Sequence, residues 1–202
     1  IYRDSDGAIK TKNRIIAKVS RYEIAELFLN PIKKELLETL VAEGMVTNEQ
    51  AELAEKLPVA DEICVEGCSA GRTMVVPINV LLPVVLAKKE EIVKRHGYMQ
   101  DIRIGASGAI GTPQAVLDAF LMGADFILTG SVNQCSVEAN TSELVKDLLQ
   151  EATVQDMELI PSEHVYEIGA KVQVLKKGVF FPARANKLYE IYKNINKLED
   201  IS

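Results

Sequence analysis

The sequence predicts an α/β protein in which helices cover a parallel sheet. Three observations support this fold class: four short apolar runs typical of buried strands, helix signals after each run, and glycine-rich loops after the last two. Strands that alternate with helical segments at this spacing are typical of parallel sheets. With 202 residues, 48% of them hydrophobic, the chain is long enough to bury a substantial core.

The four predicted strands are short apolar runs. They are Arg14–Val19, Glu62–Glu66, Asp101–Ile104 and Asp125–Thr129. Short apolar runs of this kind are typical of the buried strands of a parallel sheet.

Helix signals follow each strand. Tyr22–Leu29 and Ile32–Glu43 are predicted helices, Gly44 ends the second, and Thr47–Gln50 is a capping box for a helix that reaches Leu57.

Two later helices are predicted at Val80–His96 and Pro113–Met122, the second with Thr112 as its N-cap. Beyond Asn140 the strand signals fade, and we expect a mostly helical tail to Tyr192.

Four βα units amount to half of a TIM-type (β/α)8 barrel, which typically needs about 250 residues. The last two units carry glycine loops, as the phosphate-binding strands seven and eight of such barrels do. The sequence therefore predicts the C-terminal half of a barrel in residues 1–139 and a helical cap in residues 140–202. The other half is missing or is supplied by another polypeptide.

The two glycine loops, Gly105–Pro113 and Thr129–Gln134, are predicted to hold one phosphate between them. Glycines let backbone N–H groups approach an anion closely, and the helix that starts at Pro113 adds its positive end. The residues expected on the phosphate are Gly105, Ser107, Gly108, Ala109, Gly130 and Ser131. Ordinary tight turns are the alternative.

A third loop, Glu66–Thr73, follows the second strand and is expected at the same mouth of the barrel. Gly67 and Gly71 permit close approach to a cofactor ring, and Arg72 can neutralise an anionic cofactor or substrate. Lys18, near the end of the first strand, can place a positive charge beside a reduced ring. The alternatives are a surface arginine and a solvated lysine.

Composition excludes several classes. A net charge of −6 argues against a nucleic-acid-coating protein, and no run approaches the roughly 18 apolar residues of a membrane span. The odd number of cysteines fits a reducing compartment, so we expect a soluble, cytoplasmic protein. Cys64 and Cys68 lack a second pair or a nearby histidine, so no metal site is predicted. His96 and His164 have no evident acid–base partner.

Residues 171–193 form a basic region in an otherwise acidic chain. This region contains one acidic residue, Glu190, and six basic residues. The basic residues are Lys171, Lys176, Lys177, Arg184, Lys187 and Lys193. The region is either a solvated helical face or a dock for an acidic partner.

Several segments carry a family resemblance. They are Asn13–Arg21, Ala60–Glu66, Gly105–Pro113, Gly123–Gln134, and Gln173–Gly178 through Arg184–Tyr192. Through them the chain resembles the flavin-dependent enoyl reductases that act in trans on polyketide and polyunsaturated fatty acid synthases, relatives of the nitronate monooxygenase barrels.

This resemblance implies an FMN-bound barrel that takes hydride from NADPH and reduces the α,β-double bond of an acyl thioester on a carrier protein. It also implies that Lys18, Gly67, Ser69, Gly71 and Arg72 lie near the flavin. Carrier proteins are acidic, which suits a dock at Lys176, Lys177, Arg184 and Lys187. Other synthase subunits or the remaining barrel half are further expected partners.

One loop departs from the family pattern. Where the family has Ala-Asp-Ser-Gly-Gly-His-Thr-Asp, this chain has Gly67–Met74, with Arg72 in place of the histidine. An arginine stays charged and cannot donate a proton at neutral pH. Ser107 and Ala109 also stand where alanine and glycine are commoner. A catalytically impaired flavin-binding or carrier-docking subunit is therefore the second interpretation, and a nitronate-type oxidase is the third.

Overall fold

The computed structural model describes residues 1–67, 76–162, 166–167 and 169–195. The chain divides into two compact units, one of residues 1–67 and 76–128 and one whose described residues begin at 129. The predicted domain boundary at residue 139 remains a prediction.

The first unit opens with a small antiparallel hairpin of β1 (Tyr2–Arg3) and β2 (Ile9–Lys10). Its main feature is a four-stranded parallel sheet in the order β3-β4-β5-β6. These strands are β3 (Ile16–Val19), β4 (Glu62–Glu66), β5 (Arg103–Ser107) and β6 (Phe126–Leu128). The predicted parallel α/β arrangement is confirmed.

Strand β5 begins and ends later than the sequence predicts. It continues through Gly105 to Ser107, which pair with Phe126 and Leu128 of β6. The prediction that Gly105 and Ser107 belong to a loop is therefore wrong, and the loop itself begins at Gly108.

Five helices belong to this unit: α1 (Tyr22–Leu29), α2 (Lys34–Ala42), α3 (Asn48–Ala54), α4 (Ile78–His96) and α5 (Pro113–Leu121). The predicted caps are confirmed, because Thr47 and Gln50 form a capping box and Thr112 accepts the backbone N–H of Ala115. Helix α4 ends at Gly97, whose φ of 64° is left-handed.

Alternation along the strands gives the sheet two different faces. The side chains of one face are buried in a core with residues of α1, α4 and α5. They are Ala17, Val19, Ile63, Val65, Ile104 and Ala106. Because successive side chains point to opposite faces, Lys18, Cys64, Glu66 and Ser107 lie on the other face. We call this second surface the polar face of the sheet.

The second unit contains a 3₁₀ turn at Ser131–Cys135, α6 (Glu143–Gln150), β7 (Met157–Pro161), β8 (Lys171–Leu175) and α7 (Phe181–Asn194). Strands β7 and β8 pair antiparallel, so the expectation of a mostly helical tail is wrong over this stretch. Lys171–Leu175 alternates polar and apolar residues with a period of two, which favours a strand over a helix.

Candidate functional site

The carboxyl ends of β3 and β4 bring an ion pair to the polar face. The Nζ of Lys18 lies 2.7 Å from the Oε1 of Glu66. Glu66 is the last residue of β4, and its side chain is 12% exposed, against 47% for Lys18. Lys18 was predicted as a site residue, whereas its partner was not. The sequence does not show that Lys18 and Glu66 are in contact, because they are far apart in the chain and meet only through the pairing of β3 with β4.

Cys64 and Ser107 lie beside this pair. Cys64 is fully buried, and burial raises the pKa of its thiol to about 11. Lys18 and a hydrogen bond from Ser107 act in the opposite direction, while Glu66 adds to the increase. The thiol therefore stays protonated at neutral pH, which makes it a poor nucleophile.

Two of the predicted cofactor-binding glycines have a packing reason to be glycine. A Cβ on Gly105 would lie 2.2 to 2.4 Å from ring atoms of Phe126, and a Cβ on Gly67 would lie 2.7 Å from the backbone nitrogen of Ile78. The Gly67 N–H also donates to the carbonyl of Ser107 at 2.9 Å. These glycines let β5 accept the Phe126 ring and let the end of β4 approach the start of α4.

The loop between β5 and α5 has the geometry expected of an anion site. Gly108 and Ala109 both have positive φ, 95° and 56°, and a Cβ on Gly111 would have nothing within 4 Å. The first turn of α5 carries no acidic residue, so the positive end of the helix is not neutralised locally. Open backbone beside a helix N-terminus fits a phosphate group.

The second predicted loop belongs to the second unit. Gly130 has open space where a Cβ would lie, and Ser131 begins the 3₁₀ turn. Asn133 holds this loop, because its backbone N–H donates to the carbonyl of Gly130 and its side chain contacts Thr129. That both loops bind one phosphate remains a prediction. Ser69, Gly71, Arg72 and His164 lie outside the described residues.

The amino end of the polar face holds a second charged cluster, which the sequence analysis missed. Glu62 is 5% exposed, and its Oε1 accepts hydrogen bonds from Arg103, whose Nε lies 3.0 Å away. A guanidinium nitrogen of Arg14 lies 3.4 Å from the same Oε1. The hydrogen bond to Glu62 raises the pKa of Arg103. The signal was the spacing of Glu62, Cys64 and Glu66, which places all three on one face of a strand.

Of two cavities in the first unit, one borders the loop between β5 and α5 and the other lies at the opposite end of the strands. One is bordered by Gly108, Ala109 and helix α5, and its lining is apolar apart from Asn79 and the carboxylate of Asp118, so it does not suit phosphate. The other runs between Thr11–Asn13 and helices α2 and α3, at the amino ends of the strands.

The described residues contain no group of three histidine, cysteine, aspartate or glutamate side chains able to hold a metal ion. Among the described helices, none has the length and apolar character that crossing a membrane requires.

The chain is similar to known proteins in both sequence and structure. No protein-family model matches the sequence. The chain is 49% identical over 201 residues to the polyketide biosynthesis protein PksE of Bacillus subtilis and 45% identical over 202 residues to a polyunsaturated fatty acid synthase subunit of Thraustochytrium sp.. It is also similar to the crystal structure of the enoyl reductase domain of MlnA, from the macrolactin biosynthesis cluster of Bacillus amyloliquefaciens, with a TM-score of 0.91 and 45% identity.

The resemblance to enoyl reductases of polyketide and polyunsaturated fatty acid synthases is confirmed, because the chain matches part of PksE, part of the fatty acid synthase subunit and part of the MlnA enoyl reductase domain. The matches cover 100% of the chain for PksE and for MlnA, and 99% for the fatty acid synthase subunit. In the other direction the chain spans 26% of PksE, 10% of the fatty acid synthase subunit and 45% of the MlnA chain. The family match therefore includes every loop described above.

Proposed function

We propose that this chain supplies the C-terminal, flavin-binding half of a (β/α)8 barrel that reduces α,β-unsaturated acyl thioesters on a carrier protein. The observation that carries this proposal is the similarity of the whole chain, at 45% identity, to 45% of the MlnA enoyl reductase chain. The proposed reaction takes hydride from NADPH and adds a hydride and a proton across the double bond.

The unequal faces of the sheet support the half-barrel. Helices α1, α4 and α5 pack on one face, while Ile16 and Leu128 are exposed on the other. Parallel sheets are normally covered on both sides. Strands β3 and β6 are the edges of the sheet among the described residues. Four further strands that pair with both edges would close a barrel and cover the side chains that are exposed on the polar face.

FMN is the proposed cofactor. Gly108, Ala109 and the start of α5 would hold its phosphate together with Gly130 and Ser131, and the hydroxyl of Ser107 lies at the end of the strand that leads to this loop. When bound, the flavin supplies the hydride that reaches the β-carbon. Lys18 would add positive charge on the polar face, and Gly67, Gly71, Ser69 and Arg72 would line the same mouth.

A carrier protein is the proposed partner, and the basic region is its proposed dock. The Nζ of Lys177 lies 3.3 Å from the Oε2 of Glu151. Lys176, Arg184 and Lys187 form no ion pair within the part of the chain that the structure describes. Phe180 and Phe181 are 79% and 55% exposed at the start of α7, next to these cations. Exposed aromatic side chains beside cations suit an acidic protein surface with apolar side chains.

A visible absorption spectrum of the purified chain tests the flavin, and anaerobic addition of NADPH tests its reduction. We expect a bound flavin that NADPH bleaches and that a carrier-bound enoyl thioester reoxidises. A bound flavin that NADPH leaves oxidised would favour the catalytically impaired subunit, for which the altered Gly67–Met74 loop is the motive. Turnover of alkyl nitronates in place of enoyl thioesters would favour the oxidase. Absence of bound flavin even when the remaining barrel half is present contradicts the proposal.

A further inference from the structure

The contact between Lys18 and Glu66 runs diagonally across two strands. In the register of the sheet Lys18 lies opposite Cys64, and Glu66 lies two residues further toward the carboxyl end of β4. The 2.7 Å contact therefore draws the Lys18 ammonium toward the carboxyl edge of the sheet. Ligands of parallel α/β folds bind at that edge.

The two side chains are anchored unequally. Lys18 is about half exposed, and its long side chain has many solvated rotamers available. Glu66 is largely buried at the end of a central strand, where the following residue, Gly67, is hydrogen-bonded to Ser107. The carboxylate is thus the fixed member of the pair, and the ammonium is the member whose position depends on the contact.

We propose that Glu66 is a positioning residue whose carboxylate holds the Lys18 ammonium at the carboxyl edge of the sheet, where its charge acts on the bound flavin. This inference rests on the proposed function for the presence of the flavin. A cation near the ring stabilises the reduced, negatively charged flavin relative to the oxidised form. Loss of the anchor would let the ammonium turn into solvent, where its effect on the ring is screened.

The decisive experiment measures what Lys18→Met does in three backgrounds: the wild type, Glu66→Gln and Glu66→Ala. The quantity is the ratio of the affinities for reduced and oxidised FMN, obtained from the midpoint potentials of bound and free flavin. In the wild type we expect Lys18→Met to lower this ratio about tenfold, which is about 30 mV for a two-electron couple.

The Glu66→Gln background should preserve this effect, because the amide oxygen still accepts a hydrogen bond from Lys18. In the Glu66→Ala background the ammonium is already displaced, so Lys18→Met should change the ratio less than about threefold. An equal effect of Lys18→Met in all three backgrounds would overturn the inference, since Glu66 would then contribute only its own charge.

A second measurement needs no flavin. Acetylation of Lys18 by acetic anhydride, followed by peptide mass spectrometry, should be about threefold faster in Glu66→Ala than in the wild type and nearly unchanged in Glu66→Gln. Glu151→Ala is the matched control, because it should free Lys177 and leave Lys18 unaffected. Unchanged labelling of Lys18 in Glu66→Ala would show that the carboxylate does not hold it.

The two measurements separate the inference from the proposed function. Absence of flavin from the wild-type protein, with the remaining barrel half present, contradicts the proposed function and the flavin part of this inference, while the labelling still decides whether Glu66 holds Lys18. Normal flavin binding without a background-dependent effect of Lys18→Met contradicts the inference alone.

Discussion

The two ends of the polar face carry one glutamate each, in different surroundings. Glu62, at the amino end, is almost fully buried and bonded to Arg103 with Arg14 close by. Glu66, at the carboxyl end, meets the half-exposed Lys18 beside the glycine loops. In parallel βα folds the amino ends of the strands serve stability and the carboxyl ends serve chemistry. We therefore expect the same residue type on one strand to have two different roles.

The contact between Gly105 and Phe126 lies between these two ends, and breaking it should have the largest effect on stability. Gly105→Ala would place a methyl group 2.2 to 2.4 Å from the ring, so we expect a loss of about 3 kcal/mol in the free energy of unfolding, measured in urea. In a Phe126→Ala background the same substitution should cost less than about 1 kcal/mol. An equal cost in both backgrounds would contradict the packing role of Gly105.

The two glutamates themselves sharpen the comparison. Glu62→Gln should lower the free energy of unfolding by about 2 kcal/mol, less than the loss of a fully buried pair because both arginines are half exposed. Glu66→Gln should cost less than about 1 kcal/mol, because its partner Lys18 can be solvated. Urea unfolding of both variants gives the two values.

Glu91→Gln is the matched control, since it removes the carboxylate that Lys88 and Arg95 share on the surface of α4, with the same change in net charge. Its stability should match that of the wild type. A Glu66→Gln variant as unstable as Glu62→Gln would show that the two ends do not differ in role.

The sequence could predict features that depend on neighbouring residues, but not contacts between strands. The parallel strands and the caps at Thr47 and Thr112 depend on neighbouring residues, and the structure confirms them. The role of Gly105 depends on Phe126, and that of Lys18 on Glu66, so neither contact was visible before the strand register was known. The sequence predicts Gly105 in a phosphate loop, whereas the structure places it in β5 against the Phe126 ring, and its phosphate role stays a prediction.

Cys64, midway between the two glutamates on β4, makes the stability of the chain depend on pH. Its pKa is about 11 in the folded chain, against 9.0 for an unperturbed thiol, because burial disfavours the thiolate. The unfolded chain therefore releases its proton first as the pH rises, and the stability that is present below pH 9 is lost toward pH 11. Between pH 8 and pH 10 the wild type should lose about 1 kcal/mol more than Cys64→Ala.

Urea unfolding at both pH values measures this difference, and it separates the titration from the packing cost of the substitution, which is the same at each pH. Parallel stability–pH curves for the wild type and Cys64→Ala would contradict the buried, protonated thiol.

The smallest expected effect lies just beyond the carboxyl end, at Ala109. Its φ of 56° is in the left-handed region, which costs a residue with a Cβ about 1 kcal/mol or more. Ala109→Gly removes this strain but adds backbone entropy to the unfolded chain, so we expect a net gain of about 0.5 kcal/mol in the free energy of unfolding. Ala115→Gly, in the regular helix α5, should instead lose about 1 kcal/mol. If both substitutions destabilise the chain equally, the loop does not hold Ala109 in a strained conformation, and the anion-site geometry proposed for Gly108 and Ala109 loses its support.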